Sequence, residues 1–90
     1  MNIGVVGLGY VGLTFSIVAA MKGHKVYGID SSPEVHEALA QKRAHFYEPG
    51  LDDLLGHVME DSLYLVSSFG EAPKLDLFLI SVGTPIDMSN

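Results

Sequence analysis

The feature that most constrains the fold is a glycine-rich turn at residues 7–12 (GLGYVG), near the start of this 90-residue chain. The apolar run before it predicts a β-strand, and the apolar segment 10–22 that it opens predicts a helix. In such a turn Gly7 permits a tight bend, Gly9 lets a diphosphate approach the main chain, and Gly12 lets the helix pack closely on its strand. The unpaired N–H groups and the positive end of the helix dipole face the turn, so the pattern predicts an anion site.

A second β-type run, residues 25–29, ends at Asp30. A dinucleotide-binding βαβ unit carries at this place an acid that binds ribose hydroxyls. No arginine follows Asp30 to receive a 2′-phosphate, and a carboxylate would repel one, so NAD is favoured over NADP. Two interpretations without a ligand stay open: the glycines form a plain strand-to-helix turn, and Asp30 caps the next helix.

The order of predicted elements is that of an α/β fold. Strands are predicted at 2–6, 25–29, 63–67 and 76–82, and helices at 10–22, at 33–42 and from 51 onward. The first and last strands are continuously apolar, which is typical of strands buried on both faces. We predict a Rossmann-like parallel sheet of four strands in the order 3-2-1-4 with flanking helices. Because a whole Rossmann sheet has six strands, we expect residues 1–90 to be the N-terminal portion of a dinucleotide-binding domain of a longer protein.

The net charge and the composition exclude several classes of partner. The net charge is −6 and no basic run is present, so we expect no nucleic acid partner. There is no cysteine, hence no disulfide and no thiolate zinc site. No apolar stretch approaches the ~20 residues of a membrane span, and Met1 leads straight into a strand without a signal peptide. These observations predict a cytoplasmic protein without a membrane partner.

The remaining ionisable residues do not suggest a catalytic or metal site. Asp52 and Asp53 fall in the first turn of the third helix, where the helix dipole favours acids, and this explains them better than a paired-carboxylate site. His24 is explained as a solvated residue at the end of the first helix, and His57 has no second ligand at metal-binding spacing. His45, in the loop before YEPG, is the one histidine that stays a candidate for a role. We therefore predict no metal.

Three motifs in order, GLGYVGL at 7–13, YEPGL at 47–51 and SVGTP at 81–85, resemble the N-terminal signatures of the UDP-glucose/GDP-mannose dehydrogenase family. Members of that family are NAD-dependent enzymes of polysaccharide biosynthesis that oxidise the C6 alcohol of a nucleotide sugar to a uronic acid. The resemblance implies UDP-glucose, a UDP-N-acetyl-hexosamine or GDP-mannose as the substrate.

The resemblance also implies which residues bind NAD. Asp30 would hold the adenosine ribose, and Thr84 would line the cofactor. The diphosphate would be held by the backbone of the glycine turn, at Gly7, Gly9, Tyr10, Val11 and Gly12. Without the resemblance, a plain Thr-Pro turn is the alternative for Thr84. Two departures stand out: the family commonly has a lysine where this chain has Val35, and a glycine where Lys42-Arg43 lies.

The family's chemistry depends on a cysteine, with lysine, asparagine and aspartate helpers, all downstream of these motifs. This chain has no cysteine, so we expect it to contain no catalytic residue and to be inactive alone. Alternatives are a non-catalytic nucleotide-binding half-domain and another Rossmann dehydrogenase, of the 3-hydroxyacyl or 6-phosphogluconate type, although YEPGL and SVGTP argue against the latter.

Two features predict assembly. The first helix is apolar almost all round, so we expect its outer side to be covered by a second domain or subunit. The fourth strand would also offer an open hydrogen-bonding edge. We therefore predict a homo-oligomer that forms through one of these surfaces.

Overall fold

A computed structural model describes residues 1–46, 48–59 and 61–81. The strands are β1 (Asn2–Val6), β2 (Lys25–Ile29), β3 (Leu63–Leu65) and β4 (Leu77–Ile80). They form one sheet in the order β3-β2-β1-β4, in which every neighbouring pair is parallel. The α/β class and the predicted order 3-2-1-4 are therefore confirmed.

Three helices and one short 3₁₀ turn connect the strands: α1 (Tyr10–Met21), α2 (Pro33–Ala40), α3 (Leu51–Val58) and the turn Phe69–Glu71. Helix α1 stops before Gly23, whose φ of 98° only glycine adopts readily. Helix α2 ends two residues earlier than its predicted limit at position 42. The reason is local, because Lys42 has a φ of 60° and the helix cannot continue through a left-handed residue.

A single hydrophobic core lies between the helices and one face of the sheet. Alternate strand residues point into it, as the two-residue period of a strand requires. The core joins these side chains to buried ones from all three helices: Ile3, Val5, Val26 and Leu63 from the strands, with Leu13, Ile17, Val35, Leu39 and Leu55 from the helices. Helical spacing predicts that Val35 and Leu39 are the buried residues of α2, and both are buried.

The buried side of α1 is formed by Leu13, Ser16, Ile17 and the alanines that follow. The opposite side stays exposed although it is apolar: Val11, Phe15, Val18 and Met21. Apolar residues recur at helical spacing along α3 and predict a buried stripe. The stripe is buried except for Leu54, which lies at its edge and is exposed. That part of the expectation is wrong, since a residue at the rim of a stripe faces solvent when the neighbouring helix covers only its centre.

The ends of the last two strands differ from the prediction. Strand β3 stops at Leu65 rather than Ser67, because the Ser67 N–H donates to the Glu71 carboxylate and turns the chain into the 3₁₀ segment. Asp76 lies before β4, where its carboxylate accepts the Asn2 N–H. Val82, predicted as the last residue of the fourth strand, lies outside the described residues.

Strand β4 is also less covered than its sequence predicts. Leu77, Phe78 and Ile80 are exposed by 46%, 53% and 68%. The helices pack over the other three strands, and in the part of the chain that the structure describes Phe69 is the aromatic side chain that meets Phe78, with ring centroids 5.0 Å apart. Among the same residues no helix has the length and apolar character needed to cross a membrane.

Candidate functional site

The glycine turn lies between the end of β1 and the start of α1. Gly7 has a φ of 92°, a conformation that strains residues with a side chain. Its N–H donates to the Ile29 carbonyl oxygen at 2.8 Å, which ties the turn to the end of β2. Gly9 precedes the helix and has no side chain to cap it, so the N–H groups of the first turn lack a capping acceptor from that residue.

Gly12 and Gly9 have different surroundings. A Cβ atom on Gly12 would lie 1.8 Å from the Gly7 carbonyl oxygen, so only glycine lets α1 sit this close to the turn. A Cβ atom on Gly9 would meet no atom within 4 Å. The space beside Gly9 is therefore open at the positive end of a helix dipole, which suits a phosphate group.

Asp30 follows β2 and links two loops. One carboxylate oxygen accepts the Leu8 N–H of the glycine turn at 2.8 Å, and the other accepts the Ser32 N–H at 2.8 Å. Each oxygen retains a further lone pair for a ribose hydroxyl. Asp30 and the glycine turn thus lie together at one edge of the sheet. Asp30 also serves the loop before α2, as the interpretation without a ligand expects.

The contact of His36 was not predicted, because helical spacing predicts that this residue lies on the exposed face of α2. The side chain is half-buried and its Nε2 donates to the carbonyl oxygen of Asp30, which requires the proton to be on Nε2. The one sequence feature that could have indicated this contact is the position of His36 near the start of a helix that begins just after Asp30.

Tyr10 and Val11 open α1 beside the glycine turn, and both side chains are exposed. The Tyr10 ring contacts the ring of Phe46, with centroids 5.2 Å apart. Phe46 belongs to the connection between α2 and α3, and no periodic pattern marks that segment. The sequence prediction therefore assigned it no role.

Thr84 lies outside the described residues. The chain before it is directed toward the glycine turn, because the Ser81 N–H donates to the Val6 carbonyl oxygen at 2.7 Å. A Cβ atom on Gly12 would also lie 3.3 Å from the Ser81 Cβ. The first residue of the SVGTP motif is therefore adjacent to the glycine turn.

The described residues 1–46, 48–59 and 61–81 contain no group of three or more His, Asp or Glu side chains that could hold a metal ion. They do fit a dinucleotide. The open space at Gly9 and the uncapped start of α1 suit the diphosphate, and the fixed carboxylate of Asp30 suits a ribose.

Comparison with known proteins extends this result. The chain matches the family model "UDP-glucose/GDP-mannose dehydrogenase family, NAD binding domain" over residues 1–90. It is 34% identical over 86 residues to the UDP-N-acetyl-D-mannosamine dehydrogenase of Campylobacter jejuni, a match that covers 96% of this chain and 21% of that protein. The chain thus spans about a fifth of the length of this curated relative.

Solved structures give the same result. A UDP-glucose dehydrogenase from Pyrobaculum islandicum matches 93% of this chain and 20% of its own, with 41% identity and a TM-score of 0.83. A ternary complex of GDP-mannose dehydrogenase from Pseudomonas aeruginosa matches 99% of this chain and 21% of its own, with 33% identity and a TM-score of 0.85. The chain therefore belongs to the UDP-glucose/GDP-mannose dehydrogenase family and corresponds to its NAD-binding domain.

Proposed function

We propose that this chain is the NAD-binding part of an enzyme that oxidises the C6 alcohol of a nucleotide sugar to a uronic acid. The observation that carries the proposal is the 2.8 Å contact between the Asp30 carboxylate and the backbone of the glycine turn. It brings a ribose-binding group and a diphosphate-binding helix start to one edge of the sheet. Relatives named as dehydrogenases of UDP-glucose, GDP-mannose and UDP-N-acetyl-D-mannosamine support the substrate class.

The proposed contacts follow from this arrangement. The backbone of the turn and of the first helical residues binds the diphosphate, through Gly7, Gly9, Tyr10, Val11 and Gly12. Asp30 accepts hydrogen bonds from the adenosine ribose and repels the 2′-phosphate of NADP. Thr84 lines the cofactor.

The proposed protein is larger than the 90 residues. We assign residues 1–90 to the N-terminal portion of a single NAD-binding domain, and the substrate and catalytic groups to the remaining polypeptide. The chain has no cysteine nucleophile, so it forms no NADH alone. The proposed protein is cytoplasmic and homo-oligomeric, and the exposed apolar side of α1 supports the assembly.

Binding of NAD, measured by calorimetry or ligand-observed NMR, tests the proposal. The chain should bind NAD and not NADP. Gly9→Ala should weaken NAD binding at least about tenfold, because the methyl group enters the open space beside the helix start while touching no protein atom. Gly56→Ala is the matched control, since a Cβ atom there also meets no atom within 4 Å, and NAD binding should not change.

Two results would contradict the proposal. One is a folded chain that binds no NAD, and the other is equal loss of NAD binding in Gly9→Ala and Gly56→Ala. A second candidate is a nucleotide-binding module that keeps the glycine turn and Asp30 without a catalytic partner. NADH formation by the full-length protein with UDP-glucose, a UDP-N-acetyl-hexosamine or GDP-mannose separates the two, because the module would form none.

A further inference from the structure

Part of the connection between α2 and α3, residues 43–46, reaches the start of α1. The Phe46 and Tyr10 rings have centroids 5.2 Å apart and planes inclined at 56°, within the range of favourable aromatic pairs. Tyr10 is the first residue of α1 and stands next to the open space at Gly9, and 58% of its surface is exposed. Phe46 therefore restricts where the Tyr10 side chain can lie, and Tyr10 borders the proposed diphosphate site.

Phe46 is itself held in place. Its half-buried side chain packs against the hydrophobic core. On another side the His45 ring meets it edge-on, with centroids 5.0 Å apart. A residue anchored to the core can position Tyr10, whereas a ring on a free loop could not.

The backbone just before Phe46 is also fixed. The Arg43 N–H donates to the Ala38 carbonyl oxygen at 2.9 Å, at the end of α2. The Ala44 N–H donates to the Asp52 carboxylate at 2.8 Å, across the connection to α3. Asp52, predicted to be only a favourable charge in a helix first turn, thus also holds the connection.

We propose that residues 43–46 form a second support of the diphosphate site, in which Phe46 positions Tyr10 and Asp52 fixes the segment that carries Phe46. The inference rests on the proposed function and adds to it a positioning residue outside the glycine turn. The ligand concerned is a dinucleotide or a nucleoside diphosphate, whose phosphates lie at the start of α1. A Tyr10 side chain already held in place loses less conformational freedom when the ligand binds.

The first test compares ADP with adenosine on the wild-type chain and on Phe46→Ala. Because Phe46 acts at the diphosphate end, the variant should bind ADP roughly five- to tenfold more weakly, while adenosine binding changes less than about twofold. Phe46→Leu keeps an apolar contact with Tyr10 and should recover most of the ADP affinity. Far-UV circular dichroism checks that each variant is folded.

The second test uses a matched pair of acids. Asp52→Ala and Asp53→Ala remove the same charge from the same turn of α3. Among the described residues, the Ala44 N–H donates to the Asp52 carboxylate and not to that of Asp53. ADP affinity should fall in Asp52→Ala relative to Asp53→Ala. Asp52→Asn keeps an acceptor oxygen for the Ala44 N–H and should recover the loss.

Two outcomes overturn the inference alone: unchanged ADP binding in Phe46→Ala, and equal losses for ADP and adenosine, which would mean that Phe46 only stabilises the fold. Equal ADP affinities in Asp52→Ala and Asp53→Ala overturn the part assigned to Asp52. A wild-type chain that fails to bind NAD is a different result, because it overturns the proposed function and this inference with it.

Discussion

At the scale of single residues, Asp30 stabilises the fold even when no ligand is bound. Both carboxylate oxygens accept backbone N–H groups, from Leu8 and from Ser32. Asp30→Ala leaves both part-buried donors without this acceptor, and a typical protein hydrogen bond contributes about 0.5–1.5 kcal/mol net. We expect the free energy of unfolding of the NAD-free protein to fall by about 1–3 kcal/mol, measured by urea denaturation.

Asp61→Ala is the control for this prediction, since Asp61 is exposed and its contacts with Lys25 and Tyr64 are made by its backbone carbonyl oxygen. Its unfolding free energy should stay within about 0.5 kcal/mol of the wild type. Equal stability of Asp30→Ala and the wild type would show that the two hydrogen bonds contribute nothing. Loss of NAD binding in Asp30→Ala should therefore be interpreted together with its stability.

The sequence predicted the residues whose role follows from local spacing. The glycines and Asp30 belong to a motif in which each position relative to a strand end has one purpose, so their places at the sheet edge could be foreseen. His36 and Phe46 could not be found in this way. Their contacts with Asp30 and Tyr10 depend on how a helix and a connection return to the sheet edge, which no repeat in the sequence records.

At the scale of elements, the end of α2 carries backbone strain. Lys42 adopts a φ of 60°, and the Arg43 N–H bonds back to the Ala38 carbonyl oxygen to close the helix. A left-handed conformation costs a residue with a side chain roughly 1–2 kcal/mol, which glycine avoids. We expect Lys42→Gly to raise the unfolding temperature, with a gain of about 1 kcal/mol in the free energy of unfolding.

Gln41→Gly is the control for Lys42→Gly, because Gln41 has a φ of −95° and gains no relief from glycine. It should lower stability by about 0.5–1 kcal/mol through the greater freedom of the unfolded chain. If both variants are destabilised alike, the left-handed conformation of Lys42 carries no strain.

Element types were predictable, but their limits and exposed faces were not. Period and apolar content identified every strand and helix. The side of α1 that is buried could not be told from a helix that is apolar almost all round, since no polar face marks the outside. The exposure of β4 could not be predicted either, because a continuous apolar strand is buried only if other elements cover it.

At the scale of the whole molecule, two apolar surfaces stay uncovered in the described part of the chain, the outer side of α1 and strand β4. Such surfaces commonly mark protein–protein contacts. For assembly through α1, we expect Val18→Glu to lower the average mass in light scattering toward that of a monomer, because a buried unpaired charge is costly. Since Val18 is 46% exposed in the single chain, the fold should persist.

Phe78→Lys makes the same test on β4, and Gln41→Glu is a control that adds an acid to a polar, exposed position. The variant that loses association identifies the surface. A wild-type chain that remains monomeric across a wide concentration range would contradict the predicted homo-oligomer.

The position of β1 has a consequence for the order of folding. As the first strand of the sequence it lies inside the sheet, with one edge paired to residues 25–29 and the other to residues 77–80. Pairing of the first edge closes a short loop. Pairing of the second edge requires a strand more than seventy residues away, so it costs more loop-closure entropy. During synthesis the strand that carries the glycine turn therefore emerges before both of its partners, and its second edge stays unpaired until β4 has been made.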